Sequence, residues 1–463
     1  MTRSSPFRRD RRPRPDPAPE PHGTADPAAA GRRAPGVLAL ALPALVVLAA
    51  EPLYLLVDTA VVGNLGTVPL GGLAVGGGLL AWAAALLNFL AYGTTARAAR
   101  RAGAGDRAGA VAEGVQATWL AVLLGAAVVL LFQVLAGPLT QTLAGGPGEV
   151  AEAGEQWLRV AGCGAPLLLV SLAGNGWLRG VQDLRRPVRF VLAGSLLSLV
   201  LCPLLVHPAG LGLPGSAVAN LVGQSLTAAL FVRALLREGA DWRFRPAAVR
   251  AQLVLGRDLL LRATVLQLAF LVAAGVAART GQAALGAHQI ALQLFLFLAL
   301  VLDAYAIAAQ TLVGHALGAG RPAEARATAR RVTLWGLGTG VLVAVVLLAG
   351  RDLVVPLFTG DPAVRAQAGL VWWFLAGFQP LAGVVFALDG VLMGAGDVGY
   401  LRTVTVGAAL VGFLPLSLLS GPLDWGLAGV WTGLTAFIAL RLVAVLARVA
   451  GDRWLTAPAT VGA

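Results

Sequence analysis

Several ionisable residues stand inside apolar runs long enough to cross a bilayer: Glu51 and Asp58 in the run that begins near Val37, and Arg262, Asp303 and Asp389 in runs of the second half. Such groups cost free energy in hydrocarbon and are rarely kept without a use. Glu51 and Asp58 are seven residues, two helical turns, apart, so they share one face if the helix continues between them. That face should look into protein or water rather than lipid. The chemistry open to a buried carboxylate is reversible. Gaining a proton removes the charge and most of the desolvation cost, and losing it restores both. Pro43 and Pro52 share the helix, and each lacks the N–H that would oppose a bend, so the two form its expected hinge.

The chain that must position these groups has 463 residues, 57% of them hydrophobic and 13% charged. That composition belongs to a polytopic membrane protein. The net charge of +12 comes from 35 basic residues, all arginine. They collect in alternate connections: Arg3 to Arg33, Arg97 to Arg107, Arg179 to Arg189, Arg233 to Arg257, Arg321 to Arg331, Arg402, and Arg441 to Arg453. The intervening connections hold only Arg159, Arg279, Arg351 and Arg365. This is the positive-inside pattern, not a nucleic-acid footprint; it puts both termini in the cytoplasm and fixes an even number of spans. Arg32-Arg33 ahead of an apolar run reads as the flank of an uncleaved anchor, not a signal peptide.

The fold class expected is an all-α polytopic membrane protein with about twelve transmembrane helices. Residues 1–36 form a disordered Arg/Pro-rich cytoplasmic tail, 37–237 an N-lobe of six spans, 238–253 a cytoplasmic linker, 254–450 a C-lobe of six more, and 451–463 a cytoplasmic tail. The halves repeat. An offset of 215 carries Leu70-Gly71 onto Leu285-Gly286 and Gly103-Ala104-Gly105 onto Gly318-Ala319-Gly320. An offset of 214 carries Gly176 and Gly180 onto Gly390 and Gly394. Six spans per half make the repeat parallel, with a pseudo-two-fold axis along the membrane normal. In that register Asn88 falls on Asp303 and Asn175 on Asp389, while Asp58 falls on Ala273 and has no acidic twin. The N-half polar set is Glu51, Asp58, Asn88 and Asn175; the C-half set is Arg262, Gln267, Gln289, Gln293, Asp303, Gln310 and Asp389.

Glu51-Pro52-Leu53 through Val62-Gly63 resembles the first helix of the MATE (multidrug and toxic-compound extrusion) transporters of the DinF-like branch. Gly286-Ala287-His288-Gln289-Ile290-Ala291 and Leu302-Asp303-Ala304-Tyr305 resemble its eighth helix, Leu178 to Asp183 with its echo at Leu392 to Asp397 the repeated loop after helices 4 and 10, and Gly215 to Gln224 its sixth helix. The resemblance spans about residues 37–450. It implies two six-helix bundles around a central cavity and exchange of H⁺ or Na⁺ for an organic, often cationic, compound. It further implies that Asp58 carries cation coupling and that helix 1 bends at Pro43; Glu51 is the nearest carboxylate in sequence to act as companion to Asp58. It matches Asn175 to a fourth-helix asparagine of the N-lobe cavity and Asp389 to a tenth-helix aspartate tied to cation binding; Asn88, Asn220 and Gln289 join Asn175 as the expected substrate-cavity set, and Asp303 and Arg262 join Asp389 as a polar C-lobe cluster. One departure is specific: where archaeal members have Asn-x-x-x-Asp-Pro in helix 5, this chain reads Ser198 to Cys202-Pro203.

Blander readings accompany these. Asn88, Asn175 and Asn220 suit interhelical hydrogen bonds as well as ligand contacts. Asp303 and Asp389 could both pair with Arg262. Trp177, Trp372, Trp373, Trp425 and Trp431 lie near span ends and read as interface anchors, Cys202 reads as a packing residue, and His288 as structural. No metal-ligand spacing, nucleophile motif or P-loop occurs, so an enzyme is not expected. The expected function is cation-coupled, preferably H⁺-coupled, efflux of organic compounds across the cell membrane by a monomer. Its only expected partners are small organic substrates and membrane lipids, with no nucleic acid and no cofactor beyond the transported ion. A lipid-linked precursor flippase of the same superfamily is the alternative.

Overall fold

The computed structural model describes residues 36–456, so the tail 1–35 and residues 457–463 lie outside the described residues. Within hydrocarbon every backbone N–H and C=O must be paired inside its own segment, which leaves the helix as the solution for apolar runs of this length. The first half holds α1 (Val37–Gly63), α2 (Thr67–Leu87) continued by α3 (Phe89–Gly103), α4 (Arg107–Ala144), α5 (Glu149–Gly162), α6 (Ala165–Gly180), α7 (Arg185–Val206) and α8 (Gly212–Arg237). The second holds α9 (Pro246–Thr280), α10 (Gln282–Gly318), α11 (Pro322–Phe358), α12 (Pro362–Gly394), α13 (Val398–Ala408), α14 (Leu414–Leu419) and α15 (Gly426–Ala450). Among the described residues eleven segments are long and apolar enough to span a bilayer, and α5 with α6, bent by 51°, make a twelfth if the pair is taken as one span.

The breaks have local causes. Pro166 lies in the first turn of α6 and has no N–H to extend the α5 ladder, so the fourth span bends there. Pro415 likewise cannot donate back to Val411, and the chain widens into a π-helical turn at Ala409–Phe413 between α13 and α14. By contrast α1 runs unbroken through both Pro43 and Pro52. Three expectations are corrected. The linker is shorter than 238–253, because α9 already starts at Pro246. Trp177, Trp372 and Trp431 are buried in the helix packing rather than anchored at an interface, whereas Trp373 and Trp425 are exposed. Arg97, Arg179 and Arg441 are buried within helices rather than lying in solvated loops.

The repeat is written into the contacts. A Cβ on Gly103 would stand 2.0 Å from the His315 carbonyl oxygen, and one on Gly318 would stand 2.1 Å from the Arg100 carbonyl oxygen. The two contacts exchange under the same offset of 215, so α3 and α10 cross at a self-complementary point, as a two-fold relation requires. Within the halves, Gly176 packs on the Ala91 carbonyl and Gly390 on the Ala306 carbonyl, again the same contact made twice. These approaches leave no room for a side chain, which is why glycine stands at each position.

Hydrogen bonds between the halves gather toward the arginine-rich ends of the helices. Gln310 Nε2 donates to the Tyr92 carbonyl at 2.6 Å, Arg100 donates to the Ala395 carbonyl, and Gln252 Nε2 donates to the Glu113 carbonyl at 3.2 Å. Away from these ends, the flank of α11 exposes Leu334, Leu342, Val345, Val346 and Leu353, a face suited to lipid.

Candidate functional site

Three helices build the N-half site by steps of four residues. Tyr54 on α1, Ser198 on α7 and Asn220 on α8 line a chamber of about 430 Å³, together with Glu51, Pro52, Asn88, Asn175 and Arg179. One turn further from the arginine-rich end, the same helices bring Asp58, Cys202 and Ser216 together. Asp58 is completely buried. Its Oδ1 accepts from Ser216 Oγ at 2.7 Å and from Cys202 Sγ at 3.1 Å, and Ser216 Oγ accepts in turn from Trp157 Nε1 at 3.2 Å. Asp58 Oδ2 has no protein partner, nor do the buried hydroxyls of Tyr54 and Ser198. Every donor on this carboxylate is therefore neutral. It can take a proton without breaking an ion pair.

Cys202 thus does more than pack: it occupies the expected place of an acidic partner and donates to Asp58. Glu51 is not that partner. It is exposed into the chamber and makes no ion pair among the described residues, while Asp58 lies behind the chamber wall. The asparagines Asn88, Asn175 and Asn220 do converge on the chamber.

A second chamber of about 380 Å³ lies in the other half. Phe89, Phe270, Phe295, Phe378, Phe386 and Phe437 supply its aromatic wall, and Tyr92, Arg262, Gln267, Asp303, Asp389 and Arg441 its polar groups. Ala85, Asn88 and Leu300 line both chambers, so the two meet there. Asp389, almost wholly buried, accepts through Oδ2 from both Arg262 and Arg441. Only one oxygen is used in this way, and Asp389 Oδ1 is left without a partner. Asp303 does not join that network. Its Oδ2 accepts from Tyr92 Oη at 2.8 Å, and no ion pair forms on it among the described residues.

Gln289 is corrected outright: it is exposed and lines neither chamber. His288, by contrast, is fully buried against Trp431 with both ring nitrogens unpartnered. Five residues of the site were not singled out from sequence: Tyr54, Tyr92, Arg179, Ser216 and Arg441. Signals for two of them existed. Arg441 falls well inside the apolar run that ends near Leu446, and Ser216 lies four residues from Asn220 in the α8 stretch.

At the arginine-rich end, outside the spans, Glu238 follows α8 and accepts from Arg107 at 2.6 Å and Arg186 at 3.1 Å. The hydrogen bond from Arg107, helped by Arg186, holds its carboxyl below the usual carboxylate range.

A family model described as MatE matches residues 43–204 and 260–418, one stretch in each half. Protein DETOXIFICATION 44, chloroplastic, of Arabidopsis thaliana is 32% identical over 88% of this chain and 80% of its own. DNA damage-inducible protein F of Escherichia coli (strain K12) is 32% identical over 87% of this chain and 89% of its own. Among solved structures, one described as MATE in the bent conformation superposes with a TM-score of 0.82 at 21% identity, over 89% of this chain and 95% of that one, a likeness of fold alone. With both halves matched and at least 80% of each of these relatives covered, the chain belongs to the MatE family, whose members are membrane transporters rather than enzymes.

Proposed function

We propose that the protein is a proton-coupled antiporter of the cell membrane, with both termini cytoplasmic, that exports organic cationic or amphiphilic compounds as a monomer. The observation that carries this reading is the setting of Asp58: a wholly buried carboxylate on neutral donors, one turn behind a chamber wall. A thiol and a hydroxyl suit a proton better than a hard cation, which needs several oxygen ligands. The hydroxyls of Tyr54 and Ser198, both unpartnered, stand on the same helices one turn toward the chamber and mark the route for the proton.

Protonation removes the charged acceptor that Ser216 and Cys202 share. The hold of α1 on α7 and α8 then weakens, and α1, freed at two carbonyls by Pro43 and Pro52, can bend. Glu51, Tyr54 and Leu55 ride on that helix and form part of the chamber wall, so the bend changes the chamber's affinity for its contents. Proton and substrate thereby exclude each other. The membrane potential adds about 2.3 kcal/mol per charge per 100 mV.

The flippase alternative is not favoured. The chain has up to twelve spans, and its chambers are not a basic surface: Glu51 and Asp303 stand beside Arg179 and Arg262. The test is exchange of ethidium for protons in proteoliposomes carrying wild type or Asp58→Asn. The variant is expected to bind ethidium without exchanging it for protons; full exchange by the variant would overturn the reading.

A further inference from the structure

We infer that the Tyr92–Asp303 hydrogen bond is a latch through which a cationic group in the C-half chamber loosens the contact between the halves. The inference rests on the transport reading only in needing the halves to separate at their arginine-rich ends. Tyr92 belongs to α3, in the first half, yet α10 of the second half grips it twice. Asp303 Oδ2 accepts from its hydroxyl at 2.8 Å, and Gln310 Nε2 donates to its backbone carbonyl at 2.6 Å. Asp303 and Gln310 are seven residues apart, so both lie on one face of α10. The same face carries the chain on to the Gly103/Gly318 crossing.

Tyr92 and Asp303 also both line the C-half chamber. The other carboxylate there, Asp389, is taken by Arg262 and Arg441. Arg179 and Arg262 lie near Asp303 without an ion pair forming, so Asp303 is the carboxylate left for a cation from outside. A charged donor bonds a carboxylate about twice as strongly as a neutral hydroxyl does. A cationic group that takes Asp303 Oδ2 therefore outcompetes Tyr92, and Tyr92 loses one of its two hydrogen bonds to α10. The ligand shifts the halves because it binds the released arrangement better than the latched one. Asn88 stands at the repeat position of Asp303, so the N-half holds no second copy of this latch.

Tyr92 is a positioning residue in this scheme, and its test needs a conformational readout. Spin labels at Ala104→Cys and Ala319→Cys, in a Cys163→Ala background, report the distance between the arginine-rich ends of α3 and α10 in proteoliposomes. Ethidium, a planar aromatic cation, is the probe. In the otherwise wild-type chain ethidium is expected to raise the population with separated ends. In Tyr92→Phe that population is expected to be about tenfold higher without ethidium, equivalent to ~1.4 kcal/mol, and ethidium adds little. Asp303→Asn keeps an acceptor for Tyr92 but offers no charge, so its ends stay together with or without ethidium. Ethidium-dependent separation that persists unchanged in Tyr92→Phe or in Asp303→Asn overturns the latch. So does a Tyr92→Phe variant that melts earlier yet responds to ethidium as wild type does, since that would mark the bond as merely structural. Asp58→Asn in the same vesicles keeps the two ideas apart: its proton exchange judges the antiport reading, and its retained distance response supports the latch alone.

Discussion

In the N-half, Asp58 rests on a hydroxyl and a thiol; in the C-half, Asp389 rests on two guanidinium groups. Both carboxylates are buried, but the repeat does not pair them: Asp58 falls on Ala273, and Asp389 on Asn175. The difference lies in what protonation would cost each. Removing the Asp389 charge would leave the buried Arg441 and the half-buried Arg262 without their acceptor. Protonating Asp58 strands no arginine. The halves thus hold buried carboxylates at positions the repeat does not pair, one in an ion cluster and one on neutral donors. Asp303 is intermediate, a C-half carboxylate held by one neutral phenol.

The contrast can be broken most forcefully at Arg441. Removing one member of a buried ion cluster leaves uncompensated charge, so Arg441→Met should destabilise the protein by about 3–5 kcal/mol. Thermal unfolding in detergent checks this, and Asp58→Asn should lose far less in the same assay. A small loss for Arg441→Met would mean that the C-half cluster is not what separates the halves. Next comes the donor set of Asp58. Ser216→Ala removes a 2.7 Å donor and also leaves Trp157 Nε1 without its acceptor, for a loss of ~1.5–3 kcal/mol. Cys202→Ala removes a weaker donor and should cost less; the reverse order of melting temperatures would contradict the geometry.

The symmetric part of the comparison is sharpened at the α3–α10 crossing. Gly103→Ala and Gly318→Ala each press a methyl group into the opposite backbone carbonyl. Each should cost about 1–3 kcal/mol, and the two losses should match, because the contacts are copies. Unequal losses would show that the two-fold relation fails there. The smallest effect lies outside the membrane, at Glu238. Its folded carboxyl titrates below the usual range because Arg107 and Arg186 stabilise the charged form. The stabilisation is therefore present above the unfolded value, about 4.3, and is lost as pH falls through the lower folded value. Glu238→Gln should melt slightly below wild type near neutrality, by the ~0.2–1 kcal/mol of a partly exposed pair, and the gap should close as the pH drops below 4. A gap that widens on acidification would reverse the sign.

Much of this was legible in the chain itself. Apolar run length fixes the spans, and the offset repeat predicts glycine contacts that the fold makes twice. Asp58 and the asparagines could be placed because single polar residues stand out against hydrocarbon-like sequence. The rest depends on which side chains meet across helices far apart in the chain. Tyr92 reaches Asp303 over 211 positions, and Cys202 reaches Asp58 over 144. Spacing on one helix cannot report such pairs. Arg441 was obscured for another reason: an arginine near a basic helix end reads as solvated, though its long side chain points into the bundle. Gln289 failed in the opposite sense: although it stands in an apolar run, it is exposed and turns away from both chambers.

The most direct test of the contrast is proton release on substrate binding. Ethidium is added to purified wild type and Asp58→Asn in weakly buffered detergent solution, with binding followed by fluorescence and protons by a pH indicator. Wild type should release protons as ethidium binds, and Asp58→Asn should bind ethidium with no release. Undiminished release from Asp58→Asn would contradict the assignment of the mobile proton to the N-half carboxylate.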